Sequence, residues 1–156
     1  MKRWLIYAAA LGAALLFNIF PFQSMDIAKL APVEAVWITD SGDSVYLETD
    51  TGDVGVGTDV ESALQDMKAK ASGIIFLETA DYLIVEQGDE SILSQVYSVF
   101  RPSCKVCCSS DKPDLKECAA FLSAHEPKVT LQQIRASAIM LPMLKQAQGR
   151  MELLEQ

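Results

Sequence analysis

Four cysteines, Cys104, Cys107, Cys108 and Cys118, hold most of the chemical potential of this chain. Thiolates bind zinc, and Cys104-Lys105-Val106-Cys107 has the C-x-x-C spacing of one zinc knuckle. Structural zinc normally takes a second knuckle at a fixed separation, and this sequence has none. The knuckle is also written on a β-rich run. Alternation along a strand places Cys104 and Cys108 on one side and Cys107 on the other, which converges poorly on one ion. Disulfides, free structural thiols and a metal therefore all stand as readings, in that order for a domain outside the cytoplasm. A bridge from the strand to Cys118 on the next helix is the local possibility. A redox role is weaker, because a redox C-x-x-C normally opens a helix after a strand.

The other reactive residues are sparse. The single histidine, His125, stands beside Glu126 and Pro127 at the end of a helical pattern, where a cation complements the helix dipole. No serine sits in a G-x-S-x-G elbow. Gly55-Val56-Gly57 is a G-x-G, but position 60 is Val60 where a dinucleotide loop takes its third glycine. A strand passing close to another backbone explains the pair better. Asp40/Asp43 and Asp50/Asp53 flank turn glycines without the twelve-residue series of a calcium loop. No catalytic, cofactor-binding or metal constellation emerges, and the expectation is a protein that is not an enzyme and carries no cofactor.

These residues sit in a chain of 156 with 13 basic and 21 acidic side chains. Two of the bases, Lys2 and Arg3, open a leader whose uncharged run extends from Trp4 to Met25. A run of about 20 uncharged residues matches the hydrocarbon thickness of a bilayer. Cleavage of the leader would leave Phe22 or Asp26 at position −3, where a small residue is needed, so a retained signal anchor is preferred to a cleaved peptide. With Lys2 and Arg3 held inside, the remainder faces outward. That remainder is acidic enough to exclude binding to nucleic-acid phosphates. The implied partners are the membrane, through residues 4–22, and other membrane or envelope proteins.

Positioning elements follow from periodicity. Val33–Ile38 and Ser44–Leu47 flank a turn at Asp40–Asp43, with Gly42 free to take positive φ. A capping box at Thr58/Glu61 opens a helix carrying Val60, Ala63, Leu64, Met67 and Ala71, closed by Gly73. Ile74–Leu77 and Tyr82–Val85 read as strands, the second fully buried. A helix over Glu90–Phe100, a strand over Cys104–Ser109, and a helix opened by Pro113 with Leu115, Cys118, Ala119 and Leu122 inward come next. The last helix opens with a Thr130/Gln133 capping box and a Val129/Ile134 staple, and Pro142 kinks or breaks it. Its apolar face of Leu131, Ile134, Ala138 and Leu141 either meets a partner or packs on the domain's own sheet. The spacing predicts an α+β fold: a small mixed sheet of about four to five strands packed against three to four helices, after an N-terminal transmembrane helix. The predicted organisation is an anchor at 1–24, a linker at 25–32, an α+β domain at 33–128 and a C-terminal helical segment at 129–156.

One set of motifs resembles a known family. Val36-Trp37-Ile38-Thr39-Asp40 runs into a hairpin, Gly55-Val56-Gly57-Thr58 leads to a helix with Ala63-Leu64, and Ile75-Phe76-Leu77 precedes Tyr82-Leu83-Ile84-Val85 and a helix ending Phe100-Arg101-Pro102. Over roughly Val36–Leu122 this resembles the N-terminal domain of the Ger(x)C-type proteins, the lipoprotein C subunits of germinant receptors in endospore formers. The family's lipobox cysteine is missing, and Thr79-Ala80 stands at its glycine-histidine turn. The resemblance implies an extracytoplasmic, membrane-attached domain that acts in sporulation or germination by contacting partner proteins. It transfers no binding residue. The alternative is a cysteine-based metal-binding or redox module on the cell surface.

Overall fold

Tyr82-Leu83-Ile84-Val85 is apolar at every position, and a strand of that kind needs cover on both faces. In the computed structural model, which describes residues 30–137, 139–147 and 150–155, it is the central strand β6 (Tyr82–Glu86) of a seven-stranded sheet. β2 (Ala35–Asp40) and β7 (Lys105–Ser109) pair with it in parallel. β3 (Val45–Thr49) and β4 (Val54–Gly57) extend one side as an antiparallel meander. The turns are those the glycines permit: Gly42 and Gly52 have φ of 85° and 89°.

The fold is mixed α+β, as expected, but the sheet is larger than the four or five strands predicted. The added strands lie at the C-terminal end. β8 (Met143–Ala147) pairs in parallel with β7, and β9 (Arg150–Leu154) closes a hairpin on it. The segment predicted as C-terminal helix is thus helical only over its first turns. Pro142, read as a kink, instead precedes a strand, and its carbonyl accepts from Cys108 N at 2.9 Å. The predicted linker is corrected at its end: β1 (Leu30–Pro32) pairs in parallel with β5 (Ile74–Phe76) in a separate two-stranded sheet. The predicted anchor lies outside the described residues, among which no helix is long and apolar enough to cross a membrane.

Four helices cover the sheet. α1 (Val60–Lys70) is capped by Asp59, whose carboxylate accepts from Ser62 N at 2.7 Å while Ser62 returns the capping-box bond, one residue later than the predicted Thr58/Glu61 pair. It ends with Ala71 as its C-cap, not Gly73. The predicted helix over Glu90–Phe100 shrinks to a 3₁₀ turn at Glu90–Ile92 and a single turn, α2 (Leu93–Val96). α3 (Leu115–Ala124) is capped by Asp114, so Pro113 precedes the cap and does not occupy the first turn. α4 (Leu131–Ala136) opens with the predicted Thr130/Gln133 capping box.

Strand alternation splits the core in two. Val36, Ile38, Leu47, Leu83, Val85 and Val106 face α1, α2 and Leu131 of α4, whereas Ala35, Trp37, Ile84, Cys107 and Leu144 face α3. Burying both faces of one sheet under helices is what lets a chain of this length close a core.

Candidate functional site: an apolar groove beside helix α4

The cysteines fall where alternation put them. Cys104 and Cys108 lie in the core on the α1 side, while Cys107 and Cys118 lie together on the α3 side. All four are buried free thiols, so the predicted disulfides are not formed in this structure. Burial pushes the Cys104 and Cys118 thiols up to about 12 and raises Cys107 and Cys108 as well. The Cys108 Sγ points to the Pro142 carbonyl at 3.6 Å. Neutral, buried thiols split by a sheet are poor nucleophiles and poor ligands. Among the described residues, no group of three or more His, Cys, Asp or Glu gathers in metal-binding geometry.

His125 sits just past the C-terminus of α3, its ring stacked on Phe121 at 4.5 Å between centroids and its Nδ1 3.2 Å from the Phe121 carbonyl. The neighbouring groove offers Glu126, Glu152 and Glu155, and no hydroxyl or thiol nucleophile. The turn acids are used locally. Asp40 accepts from Gly42 N at 2.8 Å, Asp53 from Thr51 Oγ1 at 2.8 Å, and Asp50 from Glu34 N at 3.3 Å, with burial raising the Asp50 carboxyl.

Ligands of open parallel sheets bind outside the carboxyl ends of the strands. Here that position is closed by side chains bonding to one another. Thr39 Oγ1 donates to Glu86, and Asp89 accepts from Thr39 Oγ1 at 3.1 Å and from Asp40 N at 2.8 Å.

Gly55 and Gly57 are explained by packing. A Cβ on Gly55 would lie 2.1 Å from the Ala63 carbonyl oxygen, and one on Gly57 would lie 2.3 Å from the Ala63 nitrogen. The G-x-G is the seat of α1 against β4.

What remains is a groove of about 410 Å³ between the segment after α2 and the outer face of α4. Tyr97, Phe100 and Pro102 form one wall; Leu131, Gln132, Arg135 and Ala136 form the other. The volume lies within the usual range for binding pockets. The Arg135 guanidinium stands 5.7 Å from the centroid of the Tyr97 ring, a cation–π distance. Arg135 is the only charged residue in the lining, whereas four other surface grooves each include at least one carboxylate. In a chain with net charge −8, a concavity whose sole charge is positive is set apart.

The predicted partner face of the last helix turns inward: Leu131 and Leu141 are buried in the core and Ile134 is half-buried against it, while Ala138 lies outside the described residues. The groove runs along the adjacent face, where Gln132, Arg135 and Ala136 are exposed, with the buried Leu131 at its floor. Sequence reasoning missed it because its walls are 30 residues apart and only the fold brings Gln132 N to the Pro102 carbonyl, at 3.0 Å. Comparison with known proteins finds no matching family, characterised protein or solved structure.

Proposed function

We propose that this chain is a non-enzymatic, membrane-anchored extracytoplasmic interaction domain that holds a partner protein at the bilayer, in sporulation or spore germination. The observation that carries this reading is the groove in which Tyr97, Pro102, Arg135 and Ala136 are accessible above buried Phe100 and Leu131: a concavity whose one charge is positive, in a molecule of net charge −8. Aromatic residues and arginine are the types that dominate the energetics of protein–protein contacts. The uncharged leader supports the membrane setting, and the Ger(x)C-type resemblance supports the biological one. The rival cysteine-based module draws no support from thiols divided between the two faces of a sheet.

The test is site-specific photo-crosslinking in native membranes. A photoreactive residue at Gln132, in the groove, should capture a discrete partner, and the adduct should fall at least tenfold on adding Arg135→Glu. The same probe at Lys116, on α3 across the sheet, should capture none. Equal capture from both positions, or capture indifferent to Arg135→Glu, would remove the groove as the interaction site.

A further inference from the structure

The seven-stranded sheet has two edge strands, β4 and β9, and their free sides differ. At the β4 edge, the outward N–H of Val56 donates to the Asp66 carboxylate at 2.9 Å, and α1 sits on Gly55 and Gly57. That edge is closed. At the other, β9 follows β8 after two residues, with Ala147 opposite Arg150. A two-residue turn bonds its flanking pair, so Arg150, Glu152 and Leu154 direct their backbone groups to β8. Met151 and Leu153 direct theirs outward, and among the described residues those groups have no partner. An unpaired row of N–H and C=O groups is a template for one more strand.

The side chains along this edge match a second copy of the same strand. Two identical strands pair antiparallel about a twofold axis through one residue pair, so β9 has registers centred on Met151, Glu152 or Leu153. Centred on Glu152, like charges meet. Centred on Leu153, Glu152 lies opposite Leu154 of the second copy. Centred on Met151, Arg150 of each copy lies opposite Glu152 of the other, which places two ion pairs across the junction. Both charged side chains are exposed, and Met151 is half-buried.

The neighbouring charges are engaged within the chain. Lys145 lies opposite Glu152 on β8, Glu155 accepts from Lys128 Nζ at 2.8 Å, and Glu126 lies 3.6 Å from Lys105 Nζ. Across the junction, Lys145, Glu152 and Arg150 of the second copy then alternate in sign. The net charge of −8 on each copy opposes approach, but it is screened beyond about 8 Å at physiological salt.

We propose that β9 pairs antiparallel with β9 of a second copy, centred on Met151, joining the two sheets into one across a homodimer. The pairing depends on neither the leader nor the α4 groove.

The first test co-expresses two differently tagged full chains in one membrane, one with Arg150→Cys and the other with Glu152→Cys, and oxidises them. The four native thiols are buried and do not compete. In the proposed register, positions 150 and 152 face each other at about 4.5 Å between Cα atoms, within disulfide reach. The two copies of either position lie on a diagonal of about 7–8 Å. The mixed adduct should therefore exceed both self-adducts. A Glu152→Cys self-adduct equal to the mixed one would overturn the register and the ion-pair argument with it. The second test follows dissociation of the full chain on dilution in mild detergent by light scattering. Arg150→Glu should weaken the dimer by about fivefold or more, and adding Glu152→Arg should restore it. A dimer indifferent to Arg150→Glu, or not restored by the exchange, would overturn the proposal. So would a chain that is monomeric throughout, or a cysteine at Met151 that joins only a different protein.

Discussion

Replacing Gly55 by alanine should destabilise this protein by driving a methyl group into the backbone of α1. An ideal Cβ there meets the Ala63 carbonyl oxygen at 2.1 Å and the Met67 Cβ at 2.7 Å. Ordinary carbon–oxygen contact begins well above 3 Å, so α1 must retreat from β4 by about 1 Å, which forfeits a quarter to a half of each dispersion contact across the seam. Ala63 and Met67 are fully buried in that seam. Overpacking a core costs about 1–3 kcal/mol, and the upper half applies because the obstacle is backbone. Alanine recovers about 0.4–1 kcal/mol by restricting the unfolded chain. The net is about 2 kcal/mol, or about 8 °C in Tm for a domain of this size.

The assay is urea unfolding of the full chain in mild detergent, followed through the fluorescence of Trp37, which is only 2% exposed. Three comparisons isolate the cause. Val56→Ala, between the two glycines but 44% exposed, should change stability by less than about 0.5 kcal/mol. Gly42→Asn should be nearly neutral, because φ of 85° with open space around it is a conformational demand that asparagine meets. Met67→Ala should fail to rescue Gly55→Ala, since the clash is with a carbonyl and a Cβ that alanine retains. A Gly55→Ala variant as stable as the parent would refute the close-approach reading of the G-x-G.

Three further outcomes follow from the titrating groups. The four thiols should be silent to a thiol reagent in the native state and count as four on denaturation without reductant; a lower count would show disulfides. Because burial raises Cys104 and Cys118 to about 12, the folded form is favoured while the unfolded thiols stay protonated, and that advantage drains away as pH rises from about 9 toward 12; the alkaline loss of stability should be shallower in Cys118→Ala, and an unchanged slope would refute it. Asp66 has the opposite sign. Its carboxylate accepts from Lys70 Nζ and from Val56 N at 2.9 Å, which holds it below its ordinary value, so its contribution is present above about pH 4 and lost as pH falls through the lowered value. Asp66→Asn should therefore lower Tm at pH 7 and leave it unchanged near pH 2; an equal loss at both would refute the ionic role.

The elements legible in the sequence were those whose local signal and tertiary role agree. β6 announced itself through unbroken apolarity, and α3 through Leu115, Cys118, Ala119 and Leu122 at helical spacing. The glycines of β4 were read correctly because a G-x-G outside a phosphate loop has few uses other than close packing. The failures have separate causes. Thr58 and Asp59 are both competent N-caps, and the choice fell to the register that turns Val60, Ala63 and Met67 inward. Ile92, Leu93, Val96, Tyr97 and Phe100 carry helical spacing, yet their burial is met by one 3₁₀ turn and one α-turn. β8 and β9 were hidden because short, half-buried strands alternate weakly: Met143-Leu144-Lys145-Gln146 reads equally well as a frayed helix after Pro142. β1 is three residues long, below any periodicity, and exists only because β5 is there to pair with it.

The groove and the entry point of the chain belong to the same end of the domain, and that constrains the partner more than either does alone. Leu131 N donates to the Cys104 carbonyl at 3.0 Å and Gln132 N to the Pro102 carbonyl at 3.0 Å, so the floor of the groove is tied to the segment that leads into β7. β7 begins level with β6, with Lys105 opposite Tyr82, and β6 begins beside the residues that follow β1. On the proposed anchoring, the groove therefore opens near the bilayer. A partner that reaches it must itself approach the membrane, and the anchor raises its effective concentration there without any new contact. An apolar groove with one cation, weak for a ligand in free solution, is sufficient under those conditions for a segment that pairs an apolar side chain with a carboxylate. The net negative charge of the chain then works as selection, since an acidic segment is disfavoured unless it meets a cation, as it does at Arg135.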